Sequence, residues 1–294
     1  MENEKHYYHC ASKGIEDYLI FTSQKQFISA MNRVGICKSH FPQLVIVAFV
    51  LMNNHVHFIL HGTKTDCEMF MALYKKLTAS YIASEKGEKL IGFEYDCWLI
   101  PNREKLQEKI CYVLRNPLAA GMRILPTSYC WGSGPLMFAS STSEATGTSL
   151  YGKLKEVGAT TEYYRRKTYG TKQEIPSQWL VNDDGLIWPG SYVEYKYAEG
   201  IFGGAASFLF ELNKKNEDLI NREMYGDSMT LSDNDLFAII KRTAKDSFGE
   251  EDISILNMEQ RLDLIRKIRR THGSDIKQLG RLLHIRYNDL KLIW

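Results

Sequence analysis

The chain contains no CxxC pair, although six of its 294 residues are cysteine. Cys10, Cys37, Cys67, Cys97, Cys111 and Cys130 are scattered, which points to reduced thiols in a cytoplasmic protein and away from a disulfide framework or a zinc finger. No run approaches the roughly 20 apolar residues of a membrane span, so no membrane partner is expected. The N-terminus, "MENEKHYYHC", lacks the apolar stretch of a signal peptide. There is no internal repeat and no large charge of either sign. The net charge is +2, so any nucleic-acid contact must rest on a local basic surface, for which "YYRRKTYGTK" and "RLDLIRKIRR" are the visible segments. A hydrophobic share of 44% against 24% charged is a soluble globular composition, and the length suggests two domains.

What is present is a strongly patterned first half. "HYYHCASKG" reads as a strand. "TSQKQFISAMNRVGICKSH" has Phe27, Met31 and Val34 at helical spacing, with Thr22 or Ser23 as its cap. "QLVIVAFVLM" is a continuous apolar run, the pattern of a central strand. Asn53-Asn54 interrupts it before "HVHFILHG", which suggests a hairpin closed by a type I′ turn. "DCEMFMALYKKLTASYIASEKG" reads as a helix stopped by Gly87, "LIGFEYDCWLI" as a fourth strand, and "NREKLQEKICYVLRNPLAAGM" as a helix disturbed near Pro117. The order β-α-β-β-α-β, with a further helix, predicts an α+β fold whose N-terminal domain (1–130) is ferredoxin-like. Residues 131–294 form a mainly helical C-terminal region, entered through a small, polar linker at 139–150. A hairpin is expected around Asp183-Asp184-Gly185.

The interruption by Asn53-Asn54 leads into the chemistry. Strand side chains alternate, so His55 and His57 project from one face, about 7 Å apart along the strand, and two imidazoles so placed can share a metal ion. His61 continues that face. Fifty residues on, Tyr112 and Asn116 lie four apart on one helix face, and Asn116, preceding Pro117, marks the helix end. Taken alone, a His-x-His pair is more often incidental than a metal site. Tyr112 and Asn116 alone are an ordinary half-buried aromatic and an ordinary terminal residue.

Together, "MNNHVHFIL" and "YVLRNPLAAGM" resemble the single-tyrosine HUH transposases, and within them the REP-associated tyrosine transposases, over residues 5 to 125. The resemblance implies a metal-dependent single-strand DNA endonuclease and strand transferase acting on hairpin-forming DNA. Tyr112 would be the nucleophile that forms a 5′-phosphotyrosine link. His55, His57 and Asn116 would hold a divalent metal, and nitrogen and oxygen donors around a phosphate suit Mg²⁺ or Mn²⁺. Single-stranded or hairpin DNA is the implied partner, the location cytoplasmic and nucleoid-associated, and the assembly a monomer or homodimer. Two positions depart from the pattern. Relatives carry a basic segment where this chain has "FEYDCWLIPN", and Leu114 stands where they often have histidine.

Lys105 and Lys109 precede Tyr112 by seven and three residues, placed to steer phosphate, and Arg115 adds charge beside them. Near the C-terminus, Ser274 to Leu283 reads as a helix and Tyr287 to Lys291 as the start of another. A helix-turn-helix would offer Arg286, Tyr287, Asn288 and Lys291 to DNA, and a plain helical hairpin fits the same pattern. The rival to the enzyme is a non-catalytic DNA-binding regulator derived from such a transposase. A weaker rival is a ferredoxin-like metal-binding protein with no link to DNA. The catalytic reading requires that His55, His57 and Asn116 converge.

Overall fold

A computed structural model describes residues 4–12, 19–87, 93–120, 122–139, 150–171, 173–214, 231, 233–272, 274 and 276–285. The fold is mixed α+β, built on a four-stranded antiparallel sheet in the order β2-β3-β1-β4. The strands are β1 (His6–Ser12), β2 (Val45–Leu51), β3 (Val56–Gly62) and β4 (Tyr95–Ile100). Helix α1 (Gln24–His40) joins β1 to β2, and α2 (Lys64–Lys86) joins β3 to β4. Both helices begin where the sequence supplies a cap: Ser23 accepts from the backbone N–H of Gln26, and Thr63 from that of Asp66. Gly87 ends α2 with φ of 71°, a left-handed conformation that glycine adopts without a Cβ clash.

Alternation divides the sheet's side chains between two cores. Tyr8, Cys10, Phe49, Phe58 and Leu60 face α1 and α2. Ala48, Val50, Ile59 and Ile100 face the opposite way, onto α3 (Arg103–Leu114). A bulge at Val47 keeps both sets in phase along β2, where the register shifts between Ile46 and Ala48.

The apolar run of β2 predicts a central strand, but β2 ends the sheet. Its burial has another cause. Trp131–Ser133 folds back along its outer edge, where the Leu51 N–H donates to the Trp131 carbonyl and the Ser133 N–H to that of Phe49. The edge is thereby covered, which removes a free row of backbone donors and acceptors.

The expected division at residue 130 does not coincide with the cores. The segment after the sheet contributes β5 (Leu154–Glu156), α5 (Glu162–Tyr169), β6 (Leu180–Asn182), α6 (Tyr195–Phe202) and α7 (Ala205–Asn213). Val181, Ile187 and Tyr192 enter the core beneath α1, while Ala198, Phe202 and Phe208 enter the one beneath α3. Buried Asn32 on α1 ties the two stretches together: its amide donates to the Gly185 carbonyl at 2.8 Å and accepts from the Ile187 N–H at 2.8 Å. The expected hairpin is present there, with Val181 bridged to Ile187 and Gly185 at φ 81°. A third core belongs to α8 (Asp233–Phe248), α9 (Met258–His272) and α10 (Ile276–Leu282), closed by Leu236, Ile240, Leu264, Ile268 and Leu279. After α10, His284 takes φ 57° and the Ile285 N–H reaches the Gly280 carbonyl, a left-handed helix ending. The second helix of the expected helix-turn-helix, with Arg286, Tyr287, Asn288 and Lys291, lies outside the described residues, as does 140–149 of the expected linker.

The shared cores set a truncation test. A fragment of residues 1–214 is expected to keep a cooperative thermal melt. A fragment of residues 1–143 loses the residues that close both sheet cores and is expected to bind a hydrophobic dye and melt broadly. A sharp melt of the shorter fragment near the full-length temperature would restore the boundary at 130.

Candidate functional site

The site forms where β3, β1 and α3 meet. Helix α3 starts at Asn102, whose side chain accepts from the Lys105 N–H, and runs to Leu114. Pro117 has no N–H, so the carbonyl it would have bonded in a continuing helix, that of Val113, loses that donor. The Asn116 side chain takes over this role. Its Nδ2 donates to the Tyr112 carbonyl at 3.0 Å and to the Val113 carbonyl at 3.3 Å. The chain then resumes as a one-turn helix, α4 (Asn116–Ala119), so Asn116 opens a new turn just past the end of α3. With Nδ2 committed to two carbonyls, Asn116 Oδ1 must face the other way, and it lies 3.1 Å from His55 Nε2.

His55 immediately precedes β3, and His57 lies within it. The connection does not use a type I′ turn: neither Asn53 nor Asn54 has a positive φ. The asparagines are there for their side chains and carbonyls. The Asn53 carbonyl accepts from the N–H groups of Ile20 and Phe21, and its amide donates to the Phe21 carbonyl, pinning the approach to α1. Asn54 Oδ1 lies 2.8 Å from His55 Nδ1 and orients the imidazole.

The His55 and His57 rings are 5.0 Å apart, edge to face. His57 Nδ1 lies 3.1 Å from His9 Nε2, and those rings stack at 5.2 Å. His9 comes from β1, and its place beside His57 follows from the β1–β3 register. Sequence reading left His9 among the residues of the first strand; only the pairing of β1 with β3 reveals its role. Tyr112 stands over both rings, at 5.6 Å from His57 and 5.8 Å from His9, each edge to face. It is 43% exposed, open to a ligand from solvent. The Lys109 ammonium lies 5.1 Å from the Tyr112 ring centroid.

The remaining expected contacts divide. Lys105 is exposed and pairs with Glu108 at 2.7 Å. Arg115 turns away from the histidines and donates to the Leu212 and Lys214 carbonyls, closing the end of α7. His61 continues the face as expected but joins a separate stack, 4.4 Å from Tyr7 and hydrogen-bonded to Tyr197 at 3.2 Å.

Burial controls the charge of the cluster. It pushes His55 down to about 4; the Asn116 hydrogen bond opposes this, Arg281 adds to it and Asp233 opposes it. His57 falls to about 2, through burial first and then the neighbouring His55, His9 and Lys109. Burial and Lys109 bring His9 to about 4. All three are neutral at pH 7.

A neutral imidazole has one ring proton. Where the His55 proton sits on Nδ1 against Asn54 Oδ1, Nε2 turns a lone pair toward Asn116 Oδ1, itself an acceptor. Two acceptors 3.1 Å apart suit a cation between them. Among the described residues no three His, Cys, Asp or Glu side chains gather as a metal site; His55, His57 and the Asn116 amide oxygen are the neighbouring groups that could hold an ion. Nitrogen and neutral oxygen donors leave the ion's charge free to act on an anionic ligand.

Compared with models of known families, with curated proteins and with solved structures, the chain matches none. Among the described residues no helix is long and apolar enough to cross a membrane.

The neutral histidines set a pH dependence. Each binds a proton near pH 6.5 when unfolded but only near 4 or below when folded, so the unfolded state takes up more protons between these values. Their contribution is fully present above about pH 6.5 and is lost as pH falls toward 4, by about 1.4 kcal/mol per pH unit for each fully titrating histidine. Urea unfolding at pH 7 and pH 5 should show this fall, with a shallower slope in His9→Asn. An equal slope in the variant would remove His9 from the cluster.

Proposed function

We propose that this protein is a metal-dependent single-strand DNA endonuclease and strand transferase on a ferredoxin-like fold, related in mechanism to the single-tyrosine HUH transposases. The observation that carries the reading is the meeting of Tyr112, His57, His55 and Asn116, residues from two sequence motifs fifty residues apart. Composition does not require these groups to meet, and the reaction does.

His55, His57 and Asn116 would hold Mg²⁺ or Mn²⁺, which when bound polarises a phosphate and offsets developing negative charge. The chain's own groups do the rest. Tyr112 Oη attacks phosphorus, the P–O3′ bond breaks, and the protein is joined to the 5′ side through a phosphotyrosine. The phenolic proton leaves to solvent through the exposed side of Tyr112, and the departing 3′ oxygen gains one. A free 3′-hydroxyl attacking the phosphotyrosine reverses these bond changes, so strand transfer needs no external energy source. The three histidines are too weakly basic to accept the phenolic proton, and a low proton affinity keeps their lone pairs available as ligands. Lys109, beside Tyr112, attracts the phosphate.

One observation favours the second reading, a DNA-binding regulator that no longer cuts. Glu94 and Asp96 stand at the start of β4 where the transposases that the chain resembles are basic, a departure from the pattern of the cleaving enzymes.

Incubating the protein with Mn²⁺ and an internally labelled hairpin oligonucleotide should give a covalent adduct that survives a denaturing gel. Tyr112→Phe should eliminate the adduct and keep DNA affinity within about twofold. His57→Ala should lose cleavage while retaining binding. An adduct persisting in Tyr112→Phe assigns the nucleophile to another tyrosine, and binding without any adduct selects the regulator.

A further inference from the structure

Beside the Tyr112 cluster lies a hollow of about 480 Å³ that shares His9 and Lys109 with it. Its floor is His9, its walls are Trp98, Leu99, Ile100 and Pro101, and its rim carries Lys105 and Lys109. Trp98 projects from β4, which ends the sheet, directly across from His9 on β1. Its ring is tilted against His9 at 5.5 Å, yet the residue is 50% exposed, and Leu99 is 56% exposed. A large aromatic so open to water, inside a hollow and beside two lysines, offers a face on which a flat ring can stack.

We propose that this hollow takes the unpaired base next to the phosphate that Tyr112 attacks, with the base stacked on Trp98 and its backbone held by Lys105 and Lys109. The inference rests on the DNA-cleaving reading and specifies how the substrate is held. Base stacking on an aromatic is tolerant of sequence and requires an unstacked, single-stranded base. The charges orient the strand. Trp98 stands on β4 at the sheet edge, and the lysines that attract a phosphate backbone stand on α3. The backbone therefore runs on the α3 side and the base points to the sheet edge. Lys105 gives up its partner Glu108, one helical turn away, in exchange for phosphate. A second hollow, of about 540 Å³, shares Ile100 and Pro101 and carries Lys5, Tyr7 and Arg103, so the strand has a continuation beyond the first base.

The test uses the full chain carrying Tyr112→Phe, without metal, and a labelled single strand read by fluorescence anisotropy. Trp98→Ala is expected to weaken binding by roughly 5- to 150-fold, the range for loss of one base–aromatic stack, and Trp98→Phe to recover most of it. An abasic position next to the scissile phosphate should weaken binding to the Tyr112→Phe chain similarly and have little further effect on Trp98→Ala. Unchanged affinity in Trp98→Ala, or an abasic penalty that persists in it, overturns the stacking site while leaving the cleavage reading standing. Loss in Trp98→Phe equal to that in Trp98→Ala also overturns it. Tighter binding of the matched RNA strand overturns it in favour of an RNA ligand. Failure of the unmutated protein to bind any single strand overturns both readings.

Discussion

The candidate site depends on one local constraint, the proline after Asn116. Without an N–H at Pro117, the Val113 carbonyl loses the donor of a continuing helix. The Asn116 amide nitrogen supplies one and bonds the Tyr112 carbonyl as well. A side-chain amide has one nitrogen and one oxygen on opposite arms. Committing the nitrogen to the helix end aims the oxygen at His55. The same short stretch thus fixes the last turn of α3, the Tyr112 above it and the acceptor beside the histidines. An aspartate here would bring no donor to the two carbonyls, and a glutamine would move the oxygen by one methylene.

The other half of the site is set by the sheet. Alternation sends His57 and Ile59 toward α3 and Phe58 and Leu60 toward α1 and α2, so a polar cluster can sit at one end of a face whose middle is apolar. The antiparallel register then brings His9 beside His57 and Trp98 beside His9. The His57 and His9 rings are thereby placed beside Tyr112, and Trp98 against His9, without any loop having to hold them. Groups on strands and on a capped helix end stay put better than groups on loops, which would suit the ligand set proposed above.

This division explains what could be read from the chain. The α+β character, the sheet strands, the helix caps at Ser23 and Thr63, and the Asp183-Asp184-Gly185 hairpin all rest on patterns within a few residues, and they were legible. His55, His57, Tyr112 and Asn116 were legible as types at a spacing, and their convergence is geometric. His9 was not legible, because its partner lies 48 residues away and depends on register. The turn at Asn53-Asn54 misled for the opposite reason. A common local use of asparagine, the left-handed turn, lost to hydrogen bonds with Phe21 and His55. The apolar run of β2 signalled burial correctly but not its cause, because the cover on its edge comes from Trp131–Ser133. The cores that run across the expected boundary near 130 have a similar origin. The ties from Asn32 to Gly185 and Ile187 span more than 150 residues and leave no local mark.

The low proton affinity of the histidines carries a functional consequence beyond stability. A histidine metal ligand must be neutral, and near its ordinary value protons compete with metal just below pH 7. Burial removes that competition for His55 and His57. It also makes them poor bases, so a cluster built this way trades proton transfer for ligation. Tyr112 stands at the exposed rim of the same cluster, where solvent can take its proton. His57 and His9 are buried, and Tyr112 beside them is open to solvent. On the proposed reading, that asymmetry would set an attacking phenol over a bound cation, with its proton free to leave to water.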